Sequence, residues 1–161
     1  MFEGDSVSTQ RTSNKVYQRA ANLRQRLLRA SRAVNVAIVK GLHARGFEGL
    51  RSTHTALLSN LELDGASLTA VARRAGMTKQ AMGRLADELI RLRYIKSSRS
   101  KTDRREVNLA FTKTGLSLMQ HSFAVMDAIE KRCANRIGKG KFQGLLSALS
   151  ETAIECEDEQ A

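Results

Sequence analysis

Leu68-Thr-Ala-Val-Ala-Arg-Arg-Ala-Gly-Met-Thr-Lys-Gln-Ala-Met82 decides how this 161-residue chain is read. Ser67 precedes its first apolar residue as an N-cap, and the helix it opens, Leu68–Ala75, ends at Gly76. After a short turn Thr78 caps a second helix, running from Lys79 to about Leu92. Met82, Leu85, Leu89 and Leu92 recur at helical spacing and form its inner stripe. Lys79, Gln80, Gly83, Arg84 and Asp87 fall on its other sides. Two such helices joined by Ala75-Gly-Met-Thr78 predict a helix-turn-helix, in which the first helix braces and the second lies in a major groove. Thr78, Lys79 and Gln80 occupy the N-terminal turn, where free amides favour phosphate. Gly83 costs about 1 kcal/mol relative to alanine inside a helix. Close approach to DNA and plain packing are the two accounts of it.

Downstream the pattern changes. Tyr94-Ile95 and Glu106-Val-Asn-Leu-Ala-Phe111 are short and β-prone, and the charged stretch Ser97–Arg105 lies between them. This predicts a two-stranded hairpin with an exposed tip. Arg91, Arg93, Lys96, Arg99, Lys101, Arg104 and Arg105 are opposed only by Asp103. On a hairpin beside the second helix, these cations reach phosphates and an adjacent minor groove.

With these motifs in hand, the stretch from about Ser52 to Gly115 resembles the MarR family of winged helix-turn-helix transcription regulators. The resemblance is carried by Leu68–Met82, by Leu89-Ile-Arg-Leu-Arg-Tyr-Ile95, and most specifically by Asp103-Arg-Arg-Glu-Val-Asn-Leu-Ala-Phe-Thr-Lys-Thr-Gly115. The last is similar to the family's wing signature, Asp-x-Arg followed by a strand and Leu-x-Phe/Leu-Thr-x-x-Gly. The resemblance implies that Arg105 is the wing-tip arginine entering the minor groove, and that Asp103 holds the wing through an ion pair with a nearby arginine. It further implies a homodimer whose N- and C-terminal helices pack across a two-fold axis, and a small-molecule effector between those helices and the DNA-binding lobe, although no residue marks such a pocket. One departure stands out: Arg93 occupies a position where the family has glycine. An arginine there either accepts a left-handed backbone, at about 1–2 kcal/mol, or ends the helix differently.

The flanks are helical. Val16, Ala20, Leu23, Leu27, Ala30, Val34 and Ile38 form one stripe of a helix from about Asn14 to Lys40, which Gly41, Gly46 and Gly49 break. A second helix follows at about Ser52–Leu61, with Leu57, Leu58 and Leu61 inward, before an Asp64-Gly65 turn. Thr112 opens a long helix whose stripe, Leu116, Met119, Phe123, Met126, Cys133 and Ile137, is heptad-like with Glu130 filling the missing step. Gly138 and Gly140 end it, and a final helix carries Phe142, Leu145, Leu146, Leu149, Ala153 and Cys156. Cys133 and Cys156 therefore read as buried structural thiols, and Met77, Met82, Met119 and Met126 as core rather than ligand pocket.

Charge bears on the partner. The net charge is +11, and it is uneven. Residues 1–50 hold nine Lys/Arg against three Asp/Glu, residues 51–110 twelve against six, and residues 111–161 six against seven. A polyanion thus meets the first two thirds of the chain, and the last third serves assembly. No apolar run approaches the roughly 20 residues of a membrane span, and the N-terminus lacks a signal pattern. His43, His54 and His121 have no ligand-like spacing, the cysteines no CxxC, and no nucleophile triad or phosphate loop occurs. Neither enzyme, metal site nor cofactor is expected.

The expected architecture is mainly α with a small β-wing. Residues 1–13 form a tail, 14–50 an N-terminal dimerisation helix and linker, 51–112 the winged helix-turn-helix, and 113–161 the C-terminal dimerisation helices. The expected function is sequence-specific binding of a pseudo-palindromic double-stranded DNA operator by a cytoplasmic, nucleoid-associated homodimer, as a repressor. The alternative is a winged-helix RNA-binding or protein-adaptor module. A basic helix lying on a membrane surface is the lesser rival.

Overall fold

Asn22 starts the first helix by accepting a hydrogen bond on Oδ1 from the Gln25 amide (2.9 Å). The computed structural model describes residues 22–99 and 106–158. Within them lie α1 (Leu23–His43), a 3-10 turn (Ser52–His54), α2 (Thr55–Leu58), β1 (Ala66–Ser67), α3 (Leu68–Arg74) and α4 (Lys79–Arg91). Then follow β2 (Ile95–Arg99), β3 (Val107–Phe111), α5 (Lys113–Ile137) and α6 (Lys139–Asp158). The expected start of the first helix at Asn14 lies outside the described residues.

Gly41 does not break α1, which runs on to His43. The glycine serves packing instead: a Cβ there would sit 2.7 Å from Cγ1 of Val125 on α5. Only a missing side chain lets the two long helices approach so closely. The half of α1 from Val34 onward packs on the core, and Ile38 and Leu42 are buried. Leu23 and Leu27, on the same stripe nearer the start, are exposed within the subunit.

The core is one cluster drawn from α1 to α5 and from β2 and β3, with Ala66 of β1 packed against it. Leu57, Val71, Met82, Leu89, Ile95, Leu109 and Leu118 are all essentially inaccessible. β2 and β3 form the hairpin in the register Ile95↔Phe111, Ser97↔Leu109, Arg99↔Val107. In β3, Leu109 and Phe111 are buried on either side of half-buried Ala110, as the two-residue period of a strand requires, whereas in β2 only Ile95 turns inward and Lys96–Arg99 are exposed. Two details differ from expectation. The strand continues through Ser97–Arg99, which the charge pattern had placed in the tip. The sheet also has a third strand, β1, pairing antiparallel with β3 at Leu109 and Asn108. Its two residues carry no local strand signal, and Ser67 doubles as the cap of α3.

α5 has two faces. Leu118, Val125 and Ile129 are buried against the subunit. The heptad-like row is a neighbouring face, on which Leu116, Phe123 and Ile137 are exposed and Met119, Met126 and Cys133 half-buried. α6 is anchored through buried Phe142, and Leu145, Leu146, Leu149 and Ile154 are exposed. The expectation of two buried thiols is therefore corrected: Cys133 is half-buried and Cys156 exposed, because the stripes that carry them face away from the subunit core.

Arg93 resolves the junction between helix and wing. Its φ is 61°, the one left-handed non-glycine residue among those described. The Tyr94 amide donates to the Leu89 carbonyl (3.0 Å) and the Arg93 amide to the Ile90 carbonyl (2.9 Å), a Schellman closure of α4. Thr112 Oγ1 donates to the Arg93 carbonyl (2.7 Å), locking the corner from the other side. An arginine pays about 1–2 kcal/mol for this conformation. Arg93→Gly is therefore expected to raise the melting temperature by about 3 °C, read by circular dichroism at fixed protein concentration. An unchanged or lower value would show that the side chain contributes contacts worth the strain.

Candidate nucleic-acid interface

Ser67 Oγ accepts from the Ala70 amide and opens α3, as expected (3.2 Å). α3 ends at Gly76, where the Met77 amide returns to the Ala72 carbonyl (2.9 Å). Thr78 Oγ1 accepts from the Ala81 amide and starts α4 (3.2 Å). These caps fix the turn between the two helices, and burial fixes the rotation of the second. Met82, Leu85, Ala86 and Leu89 face the core. Thr78, Lys79, Gln80 and Arg84 are exposed and Gly83 is half-buried. At 100° per residue, Gln80, Arg84, Asp87 and Arg91 share the arc opposite the buried stripe, Gly83 lies on its flank, and Lys79 stands beside the buried side in the first turn. Leu92, expected in that stripe, is the half-buried C-cap.

Thr78 is thus first a cap, with its hydroxyl proton still available to donate. Gly83 is not a packing glycine: a Cβ there would meet Leu68 Cδ2 at 3.9 Å, ordinary contact. Arg99 lies exposed at the end of β2, and Lys96 is exposed on the same strand. Lys101, Asp103, Arg104 and Arg105 lie outside the described residues, and so does the expected Asp103 ion pair.

Tyr94 ties the start of the hairpin to the loop that follows α1. Its hydroxyl donates to the Glu48 carbonyl (3.0 Å), and its ring tilts against Phe47. Burial, and secondarily the Glu48 carboxylate, raises the phenol's pKa and keeps it a donor.

Sequence reasoning missed a polar cluster behind α4. Glu88 Oε2 accepts from Arg51 Nη2 and meets His54 Nε2 at 2.7 Å. His54 is 1% exposed. Hydrogen bonds from Arg51 first, then His54, hold the Glu88 carboxyl down at about 2. Glu88 is therefore a carboxylate at any working pH. Only a histidine inside an apolar helix hinted at this cluster. Its members come from separate segments, and no spacing rule joins them.

The sequence also marked no pocket, yet a cavity of about 610 Å³ lies between α1, α2 and α5 and the helix-turn-helix lobe. Ile38, Leu42, Leu58, Met119, Phe123 and Met126 give it an apolar wall. Arg51, Glu62 and Arg74 supply charge, with Arg74 Nη1 donating to Glu62. Of the methionines expected in the core, Met82 is buried there and Met77 packs against it, but Met119 and Met126 also line the cavity. Among the described residues, no group of three His, Cys, Asp or Glu is placed to hold a metal, and no helix is long and apolar enough to cross a membrane.

A bracing helix, a second helix with a polar outer arc, and a three-stranded wing define a winged helix-turn-helix protein. Residues 48–106 match the model of the MarR family. A sequence search of curated proteins gives no match. Solved structures share the fold well beyond the domain. A MarR transcriptional regulator from Methanosarcina mazei is 17% identical with a TM-score of 0.68, covering 79% of this chain and 90% of its own. The transcriptional repressor CouR, bound to a 23-mer DNA duplex, is 21% identical with a TM-score of 0.67, covering 83% and 94%. FabT from Streptococcus pneumoniae, in complex with DNA, is 19% identical with a TM-score of 0.65, covering 88% and 98%.

Proposed function

We propose that this protein is a homodimeric, sequence-specific DNA-binding transcription regulator that acts as a repressor on the nucleoid in the cytoplasm. The observation that carries the reading is the exposed first turn and outer face of α4, Thr78, Lys79, Gln80 and Arg84, standing beside a basic hairpin. Each subunit puts α4 in a major groove and the wing, with Arg99, Lys101, Arg104 and Arg105, in the neighbouring minor groove. Asp103 orients the wing. Gly83 lets the helix come close to the bases, since packing does not require it. CouR and FabT, which share the fold, are solved with DNA, and this supports the same partner here.

Residues 51–112 carry the DNA-binding function, and residues 14–50 and 113–161 assemble the dimer. Half-sites lie about 10 bp apart, on one face of the duplex. The cavity beneath the dimer helices takes a small-molecule effector with an apolar body, and its occupancy relieves repression.

The test begins with duplexes selected from a random pool by the purified protein, followed by anisotropy titration across salt. If a dimer neutralises about eight phosphates, log K falls against log[salt] with slope near −7. Arg105→Ala should weaken binding by about 1–3 kcal/mol, with the melting temperature unchanged. Gly83→Ala should bind more weakly while melting no lower. Preference for structured RNA over every selected duplex would overturn the reading.

A further inference from the structure

We infer that Glu88 is a positioning residue that couples the recognition helix α4 to the cavity, because Arg51, which holds it, is also a wall of that cavity. The inference rests on the reading of the cavity as a ligand site.

Two donors meet on one oxygen of Glu88, and they differ in freedom. His54 is buried, and its Nδ1 accepts from the Arg51 amide (3.1 Å). The ring hydrogen therefore sits on Nε2 and is given to Glu88, so a neutral imidazole satisfies both contacts. Nothing in this arrangement lets His54 turn away. Arg51 is the opposite case, with a long stem and a side chain 60% exposed. It can leave Glu88 without unmaking the core. Arg74, the other cation of the cavity, is already engaged by Glu62.

An apolar molecule with an anionic group fits this wall: its body meets Leu42, Leu58 and Met126, and its charge competes with Glu88 for the guanidinium of Arg51. When Arg51 turns to the ligand, Glu88 keeps His54 alone. The C-terminal half of α4 then keeps only one of its two ties to the segment between α1 and α2. The coupling is reciprocal, so a helix held through Arg51 resists the ligand to the same degree.

Anilinonaphthalene sulfonate, an apolar fluorophore with one anionic group, tests this on the full chain by fluorescence titration. Glu88→Gln removes the competing charge and should tighten dye binding about tenfold, the worth of a charge-assisted hydrogen bond. A merely structural role for Glu88 would weaken binding instead. Arg51→Met, at an exposed position that leaves the fold intact, should weaken it by a similar factor. In the double variant the Glu88 change should add nothing. Wild-type affinity in Glu88→Gln, or a gain that persists without Arg51, overturns the coupling while leaving the cavity reading in place. Ser122→Trp fills the cavity and should abolish dye binding. Binding that survives this block, or no binding to the wild type, overturns the cavity reading and the coupling with it.

Discussion

Gly115→Ala is expected to melt about 10 °C below the wild type, a loss of about 3 kcal/mol. Gly115 lies in the first turn of α5, directly under the start of the wing. A Cβ there would stand 1.9 Å from the Tyr94 carbonyl oxygen, 2.9 Å from its carbon and 3.1 Å from Phe111 Cδ1. The carbonyl cannot retreat cheaply. It accepts from the Thr112 amide (3.1 Å), and Thr112 Oγ1, whose one proton goes to the neighbouring Arg93 carbonyl (2.7 Å), accepts from the Gly115 amide (3.0 Å). One methyl group therefore pushes apart the C-cap of α4, the hairpin and the N-cap of α5 together. Melting curves followed by circular dichroism measure the effect, at one protomer concentration because association shifts the midpoint. A wild-type midpoint would show that the corner yields, and that the Thr112 hydrogen bonds do not hold it.

Leu145→Glu with Leu149→Glu is expected to convert the proposed dimer to a monomer and lower affinity for the selected duplex at least 100-fold. Both leucines are exposed in the subunit, at 46% and 36%. Leu146 on α6, Leu116, Phe123 and Ile137 on α5, and Leu23 and Leu27 on α1 are exposed as well. A surface of this kind marks an interface rather than ordinary exposure. Burying two carboxylates in it would cost more than such an interface returns. The effect on DNA follows from linkage: two half-sites held together bind as one, and avidity of about 10²–10⁴ disappears when the link is cut. Sedimentation velocity reads the mass, anisotropy the affinity, and circular dichroism the retained fold. A double variant that still sediments as a dimer would move the interface elsewhere.

Both predictions concern positions that the sequence singled out for other reasons. Gly115 closes the motif Leu109-Ala-Phe-Thr-Lys-Thr-Gly115, and its spacing gave no reason for the glycine. The reason is a backbone contact with Tyr94, which no local pattern contains. The heptad-like row of α5 was legible as a stripe, but a stripe has no direction. Only the packed subunit distinguishes it from the neighbouring row, Leu118, Val125 and Ile129, that the core consumes. Arg93 was legible as an oddity, and its φ of 61° turned the oddity into a Schellman corner.

The sequence by itself determined the helix-turn-helix and its wing. Caps at Ser67, Thr78 and Thr112, a 3.6-residue period and a two-residue period are local properties, read within a turn or a strand. It also determined the outer arc of α4, because the buried stripe of one helix leaves a single opposite side. The tertiary structure decided what depends on residues distant along the chain. It added β1 to the sheet, drew α1 and α5 together at Gly41 and Val125, and formed the cavity between the long helices and the helix-turn-helix lobe. It also brought Arg51 and His54 onto Glu88. These contacts form only when separate elements pack, so their physical basis lies in the assembled core and leaves no period to read.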